Sequence, residues 1–195
     1  LTAFVEELKN LSYDLNEIGA RWALIGALAA SIYCDPRTTK DIDIAVVTAT
    51  TAELENLVSK LGSRGYGSPQ SLMHMSPTFQ LGVRLTIPSK RSYVIPVDLL
   101  SKSSGIESEV VSAARQVEIL PATTLSVASL GHMIAMKVLS HNERDRIRDK
   151  SDLISLLKVA TPTDIEMARS AIVLIENRGF NRGRDLNALF DTFLC

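Results

Sequence analysis

Asp41 and Asp43 stand two residues apart where an apolar run opens, Asp41-Ile-Asp43-Ile-Ala-Val. Side chains alternate between the two faces of a strand, so carboxylates at i and i+2 project together, about 6–7 Å apart along the chain. A divalent cation can bridge that spacing. A third acid, Asp98, is embedded in Val94-Ile-Pro-Val-Asp98-Leu-Leu. Buried there without a partner, a carboxylate would be costly. Three acids from two adjacent strands can hold one or two magnesium ions through oxygen ligands, the arrangement that aligns a triphosphate for in-line attack. Upstream, Trp22-Ala-Leu-Ile-Gly26-Ala27-Leu-Ala-Ala reads as a strand, a glycine turn and a short helix. One helix and a loop fit between Gly26 and Asp41, which brings the turn's backbone N–H groups beside the acids, where phosphate would meet metal. The combination points to nucleotide chemistry.

A second group of charges lies further on. Asp149 and Asp152 are three residues apart and share a helix face, and Lys137 lies on the preceding helical segment. Two antiparallel helices would bring lysine and acid into one cleft. On the residues alone, an interhelical salt bridge and a catalytic lysine both fit this pattern.

The elements that must position these residues follow an α/β (α+β) order: a small mixed sheet with helices on its face, then a C-terminal helical bundle. Phe4, Leu8, Leu11, Leu15 and Ile18 recur at helical spacing and stop at Gly19. Strand 22–25, helix 27–33, strand 42–47 and helix 51–62 follow, the last with Thr50 and Thr51 as cap candidates. From Ser71 the chain is strand-rich; Phe79–Ile87 and Tyr93–Leu100 flank Pro88-Ser-Lys-Arg as a hairpin that sets Asp98 beside the Asp41/Asp43 strand. A strand at about 116–120 precedes Pro121. Helices are then expected over 124–140, 146–158, from Pro162 to about 177, and from near Gly183 onward. The expected division is a core lobe, 1–120, and a helical lobe, 121–195.

Length and composition suit one well-cored unit: 195 residues, 46% apolar and 22% charged, with a formal net charge of −1. That charge argues against coating nucleic acid through bulk positive charge. Locally the balance differs. Residues 84–102 hold Arg84, Lys90, Arg91 and Lys102 against Asp98, and residues 169–184 hold Arg169, Arg178, Arg182 and Arg184 against Glu176. Either segment could follow RNA phosphates or form an ordinary solvated face. Cys34 and Cys195 lie far apart, with no zinc-type spacing. His74, His132 and His141 are scattered and read as surface or packing residues. With no membrane-length apolar run and no signal-peptide core near the start, a cytoplasmic protein is expected.

Gly26, then Arg37-Thr38-Thr39-Lys40-Asp41-Ile42-Asp43, then Asp98 on a later strand, resembles the nucleotidyltransferase superfamily of the polymerase-beta type. Leu120-Pro-Ala-Thr-Thr-Leu-Ser-Val-Ala-Ser-Leu-Gly-His-Met-Ile-Ala-Met-Lys137, then Arg144 to Asp152 and its following Leu-Ile-Ser-Leu-Leu, is similar to the AbiEii/AbiGii branch. These are the nucleotidyltransferase toxins of bacterial toxin–antitoxin pairs, MenT toxins among them. The resemblance runs over roughly residues 20–158, with one departure: Gly26-Ala27 stands where the superfamily usually has Gly-Ser or Gly-Gly.

The resemblance implies Asp41 and Asp43 as metal ligands and Asp98 as ligand or base, with Mg2+ as cofactor. It implies that Lys137 binds the triphosphate, that Asp152 completes the site, and that Gly26, Ala27, Thr39 and Lys40 lie along the nucleotide. It also implies transfer of a nucleoside monophosphate, a pyrimidine one, from NTP to the 3′ acceptor end of tRNA; the charge of the segment with Arg178, Arg182 and Arg184 leans toward such an RNA acceptor. A cognate antitoxin is the implied partner, and Thr39 an implied site of silencing phosphorylation. Two other readings fit the residues: the same chemistry on an aminoglycoside-like small molecule or a protein hydroxyl, and a non-catalytic nucleotide-binding partner protein.

Overall fold

A computed structural model describes residues 2–35, 39–73, 80–87, 94–120, 123–141 and 147–194. Arg37, Thr38, His74, Phe79, the Pro88–Arg91 turn, Pro121, Arg144 and Cys195 fall outside them.

The chain alternates as the hydrophobic pattern predicts. Helix α1 (Thr2–Ile18) leads into β1 (Trp22–Ile25), α2 (Gly26–Tyr33), β2 (Ile42–Val46) and α3 (Thr51–Gly62). Strands β3 (Gly67–Met73), β4 (Gln80–Thr86) and β5 (Pro96–Leu100) follow, then α4 (Glu107–Ser112), β6 (Arg115–Leu120) and β7 (Thr123–Val127). Helices α5 (Leu130–Ser140), α6 (Ile147–Val159), α7 (Pro162–Asn177) and α8 (Leu186–Leu194) complete it. The strands form one mixed sheet in the order β3-β4-β5-β2-β1-β7-β6.

Two element boundaries have visible causes. The Thr50 hydroxyl accepts from the Glu53 N–H while the Glu53 carboxylate accepts from the Ala49 N–H, fixing the start of α3. At α7, Thr161 and Asp164 form a capping box and Pro162 occupies the first turn.

The segment after Pro121 departs from the expected long helix over 124–140. Thr123, Leu125 and Val127 are buried while Thr124 is exposed, a period-two pattern, and the segment is strand β7 beside β1. Only from Leu130 does the helix run. The expected lobe division thus falls between β6 and β7, two paired strands. Among the described residues, one hydrophobic cluster runs from Leu11 and Leu15 of α1, through Ile42, Ile44, Val97 and Leu99 of the sheet, to Ile134, Leu156, Ile172 and Phe190 of the helices.

α5 is the axis of the helical part. Nearly every residue from Leu130 to Leu139 is buried, including His132 and Lys137. A helix apolar around its circumference belongs inside, so each polar residue on it needs a partner. His132 has one in the Ser129 hydroxyl, 2.7 Å from Nδ1, and burial holds its pKa below the ordinary value. His141 is packed edge-on against Phe193.

Candidate active site

Alternation along β2 puts Ile42, Ile44 and Val46 into the core and leaves Asp43 on the other face; Asp41 sits just before the strand. β5 runs parallel to β2 in a register that pairs Asp43 with Asp98 directly. The result is a convergence of Asp41, Asp43 and Asp98, whose carboxylate oxygens reach within 4.8 Å of one another. Oxygen ligands on opposite sides of one hard cation are about 4–5 Å apart, twice a metal–oxygen distance. The donor set, all carboxylate, also suits such a cation, so these three residues fit the metal site.

The electrostatics agree with the geometry. Burial, then the neighbouring charges of Asp41 and Asp98, raise the Asp43 carboxyl to a pKa of about 7, against the pull of Lys137 and Arg84. Ionising all three acids together is therefore costly without added positive charge. Thr39 donates its hydroxyl to Asp41 Oδ1 at 2.8 Å, fixing one carboxylate. Lys40 is exposed beside them.

Gly26 is required by close approach. Its φ is +69°, and a Cβ built there would lie 1.9 Å from Asp43 Oδ2. The carboxylate occupies the volume of the missing side chain, so the first turn of α2 sits against the acids. Ala27 is buried in that turn, and its carbonyl accepts from Ser31.

The helical part delivers its own charge to this place. Lys137 on α5 donates to Asp152 Oδ2 on α6 at 2.8 Å, with only 10% and 7% of the two side chains exposed. The cleft reading and the salt-bridge reading of this pair are compatible: the ammonium is bonded to Asp152 and its field still acts on Asp43. The Asp149 side chain lies outside the described part.

One participant escaped the sequence reading. Arg84 on β4 faces Asp98 across the antiparallel β4–β5 ladder and grips it with two donors, Nε to Oδ1 at 2.6 Å and Nη2 to Oδ2 at 2.7 Å. In the sequence it stands only as one charge of a basic segment. The register of the hairpin is the signal that would have exposed it.

The arginines of the other basic segment are engaged within the chain. Arg178 donates to Glu109 through both terminal nitrogens and to the Gly105 carbonyl, and Arg184 donates to the carbonyls of Leu139 and His141 at the end of α5. Arg182 adopts a left-handed backbone, φ +57°. Arg178 and Arg184 of the expected RNA-binding face therefore already tie elements of the fold together.

A family model for the AbiEii nucleotidyl transferase toxins of type IV toxin–antitoxin systems matches residues 11–191. The chain belongs to the AbiEii family. As an AbiEii protein it is a nucleotidyltransferase of a toxin family, and membership implies an NTP substrate and an antitoxin partner. No curated protein matches it significantly in sequence. Its fold is similar to that of an antigenic nucleotidyltransferase-like protein from Paracoccidioides brasiliensis, with a TM-score of 0.52 and 16% identity over 95% of this chain and 93% of that one. ANT(2″)-Ia in complex with adenylyl-2″-tobramycin matches with a TM-score of 0.49 and 15% identity, over 100% of this chain and 98% of that one. Among the described residues of this AbiEii chain, no helix is long and apolar enough to cross a membrane.

Proposed function

We propose that this AbiEii chain transfers a nucleoside monophosphate, a pyrimidine one, from NTP to the 3′ hydroxyl at the acceptor end of tRNA, releasing pyrophosphate and so blocking translation. The acceptor oxygen forms a bond to the α-phosphorus, the bond from that phosphorus to the β-phosphate oxygen breaks, and the hydroxyl proton passes to a carboxylate of the cluster. Asp41, Asp43 and Asp98 would hold Mg2+. Bound there, the ion would supply charge neutralisation on the triphosphate and activation of the hydroxyl. Lys137 neutralises triphosphate charge, Asp152 fixes its ammonium, and Gly26 with Ala27 presents the turn to the phosphates. Thr39, bonded to Asp41, is the position at which an added phosphate would silence the enzyme.

The observation that carries this reading is the meeting of the three carboxylates from one end of the sheet with the field of Lys137 from the helical part. A second acceptor has an observation in its favour. Arg178 and Arg184 are already bonded within the chain, and a small acceptor such as an aminoglycoside makes less demand on them than an RNA backbone does.

One experiment separates the two. The purified protein is incubated with magnesium and each α-labelled NTP in turn, with total tRNA or an aminoglycoside as acceptor. Label in the tRNA band, strongest with CTP or UTP and absent in Asp41→Ala and Asp43→Ala, supports the proposal. Label only on the aminoglycoside replaces the acceptor; full activity in Asp41→Ala ends the metal-site reading.

A further inference from the structure

Asp98 presents both carboxylate oxygens to Arg84, at 2.6 and 2.7 Å. The cation site needs one of those same oxygens, since the three-acid convergence includes Asp98. A guanidinium and a divalent cation sharing one carboxylate are like charges a few ångströms apart, and each weakens the other's hold. Arg84 is thus a resident competitor. Its side chain is 39% exposed while that of Asp98 is only 10% exposed, so the guanidinium lies on the open side of the pair and can leave without disturbing the sheet. A triphosphate arriving on that side offers the planar fork a second partner of the same geometry, since phosphate oxygens accept bidentately as a carboxylate does.

We propose that Arg84 couples cation binding to nucleotide binding: it holds Asp98 in the empty site and passes its two donors to the triphosphate when cation and NTP enter together. The empty enzyme then takes up free divalent cation poorly, and nucleotide raises its affinity. This rests on reading Asp41, Asp43 and Asp98 as the cation site.

The test is calorimetric titration of Mn2+ into the full chain, with and without an α,β-methylene NTP analogue that cannot be turned over. Wild type should bind Mn2+ weakly alone and more tightly with the analogue. Arg84→Gln should bind Mn2+ alone about tenfold more tightly, because a like charge has been removed, and should show little further gain from the analogue. Arg84→Lys keeps the charge without the fork; it should bind Mn2+ alone as weakly as wild type and lose most of the nucleotide-linked gain. Unchanged or weaker Mn2+ binding in Arg84→Gln, or a full nucleotide-linked gain in Arg84→Lys, overturns the proposal. Asp43→Asn tells the two levels apart: if it binds Mn2+ like wild type, the cation site itself has been misplaced, whatever Arg84 does.

Discussion

At the scale of single residues, Asp43 joins function and stability with opposite signs. Its carboxyl titrates near pH 7, above the ordinary value of 3.8, because burial and two neighbouring acids disfavour its charge. The folded state therefore binds a proton that the unfolded chain has already released over the interval between the two values. Linkage makes the metal-free protein lose stability as pH rises from about 4 through 7, with the full penalty present above 7. Asp43→Asn should raise the melting temperature of the metal-free protein at pH 8 by a few degrees, flatten that pH slope, and abolish nucleotidyl transfer; parallel melts at pH 5 and pH 8 measure it. With Asp43 a ligand as proposed, affinity for Mn2+ in wild type should climb as pH passes through 7, since the ionised carboxylate would do the binding, and an affinity flat from pH 6 to 8 would contradict this. Thr39→Glu adds a charge where a hydroxyl now donates to Asp41, so transfer to the acceptor should fall by at least tenfold at saturating NTP, with the fold retained by circular dichroism.

Among the elements, the turn from β1 into α2 has the least tolerance. Gly26→Ala meets two penalties together, a left-handed φ and a methyl group inside the Asp43 carboxylate. It should cost about 2–4 kcal/mol in denaturant unfolding and remove activity, whereas Ala27→Ser should be far milder. How much was legible beforehand divides along the same elements. Where strand alternation, a short apolar run or helix caps decide the structure locally, as for β2, β1, α3 and α7 respectively, the sequence suffices. The pairing of Asp43 with Asp98 followed from the hairpin idea, yet Arg84 did not. A four-residue turn at 88–91 would set Arg84 opposite Ile95, whereas in the observed register the Ile87 N–H bonds to the Ile95 carbonyl and Arg84 lies opposite Asp98. A shift of three residues in register decides which side chain meets the acid, and local propensity carries little information on register. β7 was hidden for another reason. Leu125 and Ala128 also satisfy a helical spacing, and the alternation of Thr123, Leu125 and Val127 wins because β1 lies alongside to pair with it.

Over the whole molecule, the proposed site exists only while sheet and helices stay docked, since the sheet would supply the acids and α5 the lysine. Part of that docking is polar and local. The Phe180 ring packs where a side chain on Gly105 would be, and Arg178 reaches across to Glu109 and the Gly105 carbonyl. Arg178→Ala leaves the acids untouched. The ion pair is about two-fifths exposed on the arginine side, so its loss should cost only about 1 kcal/mol, visible as a small drop in unfolding midpoint. Amide hydrogen exchange should quicken in α4 and at the end of α7, with α3 unaffected; uniform acceleration across the chain would show that this contact is not a local tie.

Arg184 holds the terminal carbonyls of the helix that carries Lys137, although it lies far along the chain from any acid of the cluster. For a protein of a toxin family this matters genetically. When cells are selected for surviving its unopposed expression, inactivating changes should collect not only in codons 41, 43 and 98 but also at codon 184 and in premature stops ahead of it, where a lost tail unfastens the lysine's helix from behind.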